Sequence, residues 1–217
     1  SYIITVGWIV GITNAINLID GLDGLSSGIT LISCVSLLII FLLTPSSPLI
    51  SILLITALAG SIVGFLPFNF SPAKTFIGDV GSNFLGFSLA VISILGVAKT
   101  YTALVLIAPI IVLGLPIFDT IFAIIRRIIK GKSIKAVFKA DKGHLHHKLM
   151  FSLELGQTKS VLILYIATAL FSICSFIHIY SVTASILLFA LLLLVFEIFV
   201  EYTNMISRKY KPILTIL

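Results

Sequence analysis

Apolar runs of about twenty residues recur along the whole chain, and few folds can accommodate them. They cover residues 2–19, 28–44, 49–66, 84–98, 102–125, 161–178 and 182–201. A helix needs about 20 such residues to cross a hydrocarbon core about 30 Å thick. Backbone polar groups inside that core must be satisfied within the structure, which leaves only helices and closed barrels. Barrel strands alternate apolar and polar residues, and these runs do not. The composition agrees, with 59% hydrophobic residues, 10% charged residues and a mean hydropathy of +1.24. The expected fold is an all-α polytopic transmembrane helical bundle of about seven spans, forming a single integral-membrane domain over residues 1–217. Cys34 and Cys174 fall inside apolar runs and are read as small core residues, with no disulfide.

Charge sets the expected orientation. Pro45 and Pro48, Lys99-Thr100-Tyr101, and His178-Ile179-Tyr180-Ser181 mark the connections on one side. Residues 20–27, 67–83, 126–160 and the tail 202–217 lie on the other, with every lysine and arginine except Lys99. Basic residues stay in the cytoplasm, so the long connections are expected there. This topology accounts for most of the formal charge of +6, and no nucleic-acid-binding motif accompanies it. The acids follow the same side: Asp20, Asp23, Asp79, Asp141 and Glu154 in the connections, with Asp119, Glu197 and Glu201 toward the same ends of their spans. An active site or pore mouth at that surface is the natural expectation.

Three stretches carry the chemistry. In the first, Asn14, Asn17 and Asp20 recur at i, i+3, i+6 and form a polar stripe on the last turns of the first span. Gly21 and Gly24 then let the backbone turn beside Asp23. In the second, Gly78 and Gly81 bracket Asp79 in the connection 67–83, and Ser82 or Asn83 could cap the fourth span that follows. Free N–H groups at a helix start favour phosphate. Asp79 has the chemistry to hold Mg²⁺, which uses one or two carboxylates plus substrate phosphates. The third is Asp141-Lys142-Gly143-His144-Leu145-His146-His147-Lys148, with three of the four histidines. Its spacing is not that of the common zinc helix, and in protonated form it would grip a diphosphate. Asp119 stands two helical turns before Arg126, so an ion pair with Arg126 or Arg127 competes with a role at the site. Simple turns, helix caps and a solvated basic loop remain the bland readings of these stretches.

Taken in order, Asn17-Leu18-Ile19-Asp20-Gly21-Leu22-Asp23-Gly24, Phe76-Ile77-Gly78-Asp79-Val80-Gly81-Ser82 and His144-Leu145-His146-His147 resemble the polyprenyl-phosphate N-acetylhexosamine-1-phosphate transferases, the bacterial membrane family that includes the phospho-MurNAc-pentapeptide translocase. The His-Leu-His-His form looks like the GlcNAc-1-phosphate branch. That branch starts teichoic acid, O-antigen (lipopolysaccharide) or enterobacterial common antigen synthesis in the bacterial cytoplasmic membrane. The resemblance implies attack of undecaprenyl phosphate on a UDP-sugar, with UDP-GlcNAc favoured as donor, giving a lipid-linked sugar diphosphate and UMP. It implies Asp20, Asp23, Asp79, His144, His146 and His147 as catalytic residues. Asn17, Phe76, Gly78 and Asp141 would contact substrate, with Phe76 stacking on uracil. Mg²⁺, or Mn²⁺ in its place, would sit on Asp79 and Asn17. A homo-oligomer is compatible with this reading.

The family also carries an Asp-Asp pair in an early segment, and no Asp-Asp occurs here. The expectation is therefore the C-terminal portion of a longer enzyme, inactive on its own; a degenerate paralogue or a split gene is the alternative. Two other classes stay open: a transporter, and a non-catalytic membrane scaffold. The acids gather at one surface and do not trace a path through the bilayer, which weighs against the transporter. A scaffold leaves the acidic motifs without a role.

Overall fold

A computed structural model describes residues 2–97, 103–131 and 143–203. Its helices are α1 (Tyr2–Ile19), α2 (Leu25–Leu43), α3 (Leu49–Asn69), α4 (Gly78–Val97), α5 (Ala103–Val112), α6 (Gly114–Gly131), α7 (Leu145–His147), α8 (Gln157–Tyr180) and α9 (Val182–Tyr202). A five-residue π turn, Lys148–Ser152, continues α7. The described residues include no strand, as the absence of period-two patterning requires. This is a polytopic helical bundle.

Among the described residues, six helices (α1, α2, α3, α4, α8 and α9) are each long and apolar enough to cross a membrane. The fifth expected span is instead two helices meeting at Leu113. Pro116 has no N–H to offer the Val112 carbonyl, which opens the helical ladder at this point. Leu113 N–H still donates to the Pro109 carbonyl and Ile117 N–H to the Leu113 carbonyl, so helical hydrogen bonds continue on either side of the lost one. Helix α6 also runs on to Gly131, through residues the sequence placed in a connection. Likewise α4 begins at Gly78, so Asp79 stands in its first turn and not in a loop before it.

Helix α2 is the most deeply buried of the six and α9 the least. The buried face of α2 carries Ser26, Ser27, Thr30, Ser33 and Ser36, small residues that allow neighbouring backbones to approach. Thr30 and Ser36 return their hydroxyls to the carbonyls of Ser26 and Ile32, so part of this polarity is satisfied within the helix. Two apolar clusters follow. One joins α1 to α5 through residues such as Ile16, Leu37, Ile55 and Leu89. The other, at the end carrying the long connections, joins Ile19, Leu25, Leu115, Leu145 and Leu164. Burying such a side chain contributes about 1.5–3 kcal/mol in a soluble protein; in lipid, close packing takes over that role. Cys34 and Cys174 are buried free thiols, as expected.

Candidate active site

The second cluster supports a polar end. Between α1 and α2 the chain turns in five residues. Gly21 N–H donates to the Ile19 carbonyl, and Gly24 closes the turn at φ 74°, a left-handed conformation that favours glycine. The turn holds both acids of the first motif. Asp20 accepts a 2.6 Å hydrogen bond from the Ser26 hydroxyl. Asp23 accepts from the backbone N–H of Ala73 at 3.1 Å. The Ser27 hydroxyl donates to Asn69 Oδ1 at 2.6 Å, and Asn69 Nδ2 donates to the Thr75 carbonyl at 3.0 Å. Asp23 thus staples the connection between α3 and α4 to the acidic turn, and Asn69, at the end of α3, links that connection to the first turn of α2. From α8, the Tyr165 hydroxyl donates to the Gly24 carbonyl.

These contacts open a cleft of about 470 Å³. Asp20, Asp23, Asp79, Gly78, Phe76 and Asn69 line it, with Met150 and Gln157 from beyond the histidine turn. Phe76 is 75% exposed, its ring presented to any planar ligand entering the cleft. Burial pushes the Asp20 carboxyl above its ordinary range; the Ser26 hydroxyl opposes this, and the charge of Asp79 adds to it.

Glycosyl transferase family 4 matches residues 1–97. The chain is 45% identical over 214 residues to a probable undecaprenyl-phosphate N-acetylglucosaminyl 1-phosphate transferase of Bacillus subtilis, covering 98% of this chain and 58% of that protein. The chain belongs to this family. It is also 35% identical over 194 residues to the undecaprenyl-phosphate alpha-N-acetylglucosaminyl 1-phosphate transferase of Thermotoga maritima, covering 84% of this chain and 56% of that one. A shorter match, 47% over 91 residues, is to a phospho-N-acetylmuramoyl-pentapeptide-transferase of Limosilactobacillus reuteri, covering 41% of this chain and 28% of the other. The chain spans a little over half the length of the first two relatives.

The family's three motifs do not all face the cleft. The histidines stack behind it. The rings of His144 and His146 lie parallel with centroids 5.8 Å apart; those of His146 and His147 are 4.3 Å apart. His146 Nε2 presses on Gly21, where a Cβ would lie only 2.2 Å away. Burial pulls the His146 imidazole down to about 4, with His147 and His144 adding to the fall and Asp119 opposing it. Near neutral pH His146 is therefore uncharged, unlike the phosphate-gripping cation that the sequence suggested. His144 is buried, and its Nδ1 lies 2.9 Å from Asp119 Oδ2. Asp119 Oδ1 accepts the Leu145 N–H, so the carboxylate goes to the histidine turn and not to Arg126 or Arg127.

Asn17 stands half-buried one turn before Asp20 and is not among the residues lining the cleft. Asn14 is exposed and donates back to the Val10 carbonyl of its own helix. Asp141 lies outside the described residues.

Among the described residues, no three His, Cys, Asp or Glu side chains converge as a metal cage. Mg²⁺ takes one or two carboxylates and leaves room for substrate phosphates. Asp20, whose carboxyl feels the charge of Asp79, and Asp79 itself line the cleft and have that chemistry. Sequence reasoning missed Ser26, Asn69, Gln157 and Tyr165. Asn69 was visible as a lone amide at the end of an apolar run, whereas nothing local marks Tyr165.

Proposed function

We propose that the full-length protein transfers GlcNAc-1-phosphate from UDP-GlcNAc to undecaprenyl phosphate, at the cytoplasmic face of a bacterial inner membrane. An acceptor phosphate oxygen forms a bond to the β-phosphorus, the bond to the UMP oxygen breaks, and UMP leaves with its electron pair. The product is a lipid-linked sugar diphosphate for cell-wall or surface-polysaccharide synthesis. The observation that carries this reading is the convergence of Asp20, Asp23 and Asp79 on one cleft in a chain so similar to named transferases of this type.

The side chains divide the work. Phe76 offers a face for uracil. The start of α4 at Gly78 presents backbone N–H groups to phosphate. Asp79 and Asp20 would hold Mg²⁺, which when bound neutralises diphosphate charge and polarises the phosphorus. Asp23 ties the two acidic segments together through Ala73. An apolar groove of about 170 Å³ between α8 and α9 reaches Leu145 and Leu149 of the histidine turn, and suits a polyprenyl tail entering from the bilayer. Positioning and charge neutralisation suffice for this chemistry without a covalent intermediate.

The test uses membranes containing the full-length protein, radiolabelled UDP-GlcNAc and undecaprenyl phosphate, with Mg²⁺ or EDTA. The expected result is lipid-linked GlcNAc diphosphate that EDTA abolishes. Product formed undiminished in EDTA would overturn the metal assignment, and no product from a panel of UDP-sugars would overturn the transferase reading.

A further inference from the structure

The side chain that organises the histidine turn lies in neither acidic motif. Helix α6 presents Leu115, Asp119 and Arg126 at i, i+4 and i+11, close to one face of the helix. That stripe meets the start of the histidine turn at consecutive residues. The Arg126 guanidinium covers Gly143 so closely that a Cβ there would lie 2.3 Å from Arg126 Cζ. Asp119 takes the next two residues, through His144 Nδ1 and the Leu145 N–H, both at 2.9 Å. Leu115 and Leu145 share the apolar cluster beneath. Asp119 is 1% exposed and His144 4%, so water does not compete for these bonds.

We infer that Asp119 is a positioning residue for the proposed reaction: it clamps the start of the histidine turn and fixes the His144 tautomer. This rests on the transferase reading for its kinetic part only. An ionised carboxylate accepts and does not donate. With one oxygen on the Leu145 N–H, the other requires a proton on His144 Nδ1, which in the neutral ring leaves the lone pair on Nε2. The stack then passes the constraint onward. His144 lies parallel to His146, and His146 fills the space beside Gly21 in the acidic turn. Helix α6 thereby sets where the Asp20–Asp23 turn sits, although α6 contributes no residue to the cleft lining.

Asp119→Asn separates this role from simple packing, because it keeps volume and still accepts the Leu145 N–H. Its amide must then donate to His144 Nδ1, which moves the ring proton to Nε2. The experiment uses full-length wild type, Asp119→Asn and Asp119→Glu in nanodiscs. It reads kcat and KM for UDP-GlcNAc, amide exchange over residues 143–147, and ¹⁵N shifts of the His144 ring assigned with His144→Gln. For Asn we expect kcat to fall about 10–100-fold, as for other groups that orient a functional histidine, with KM little changed. We also expect faster exchange across the turn and an inverted tautomer, while Glu restores the wild-type tautomer and part of kcat. Wild-type kcat per folded molecule in the Asn variant would overturn the inference. So would unchanged exchange and tautomer. If the wild type itself transfers no sugar phosphate, the transferase reading fails alone, and the exchange and tautomer data still decide whether Asp119 clamps the turn.

Discussion

The imidazole of His146 occupies the space into which a side chain at Gly21 would project. A Cβ on Gly21 would stand 2.2 Å from Nε2 and 2.8 Å from both neighbouring ring carbons. The ring cannot simply swing aside, because His144 and His147 flank it. Gly21→Ala should therefore destabilise the full-length protein by about 1–3 kcal/mol, the usual cost of overpacking, and displace the acidic turn. His146→Ala opens the space again, so the double variant should recover part of that loss. Thermal unfolding of the two single variants and the double variant gives the coupling energy, and strict additivity would contradict the contact.

His146 also makes stability depend on pH. Its folded value, about 4, lies below the ordinary 6.5, so the unfolded chain takes up a proton in a range where the folded chain does not. The contribution is fully present above pH 6.5 and is lost as pH falls from there toward 4. The whole shift corresponds to at most about 3 kcal/mol. His146→Gln should flatten this part of the stability profile. Unfolding midpoints of wild type and variant between pH 4 and pH 7, the range set by those two values, provide the check.

Asp20 behaves in the opposite sense from most acids. Its raised value means the folded protein holds the proton more tightly than the unfolded chain does. Ionising Asp20 therefore costs stability, a cost absent at pH below the ordinary carboxylate range and complete above the raised value. Ser26 opposes the shift by hydrogen-bonding the carboxylate. Ser26→Ala should move the Asp20 titration further up, and with it the acidic limb of the pH–rate profile. Asp79→Asn should move the titration down, because the neighbouring negative charge is gone. Infrared or carbon NMR titration of Asp20 in metal-free protein reads both, and shifts in the same direction would rule out this balance of forces.

Much of this was legible in the sequence because bilayer physics is strict. The backbone of the apolar runs that hold residues such as Leu37 and Leu89 can be satisfied in a bilayer only as helix, and the spans followed directly from those runs. The exception was Pro116, whose missing N–H divides the fifth span; a hydropathy pattern does not register a lost donor. Asp20, Asp23 and Asp79 were readable as a site because acids are costly beside a membrane, and the structure gathers them. The histidines show where local reading stops. Spacing cannot reveal that Asp119, 25 residues upstream of His144, will be its partner, nor that burial will hold His146 neutral.

The Tyr165 ring is the remaining long-range tie to the acidic turn, and its geometry separates two kinds of substitution. Its hydroxyl donates to the Gly24 carbonyl from 141 residues away. Tyr165→Phe loses that bond alone and should cost about 1 kcal/mol. Gly28→Ala places a Cβ 1.9 Å from the hydroxyl and 2.1 Å from the ring carbon that bears it, so α2 and α8 must part. That should cost more than the lost hydrogen bond. Because the ring carbon is nearly as close as the oxygen, Tyr165→Phe should not rescue Gly28→Ala. Tyr165→Ala, which removes the ring, should relieve the clash at the expense of a cavity. Thermal unfolding of the full-length protein with each variant and each pair tests the order. Rescue of Gly28→Ala by phenylalanine would show that the hydroxyl alone, and not the ring, sets the spacing between α2 and α8.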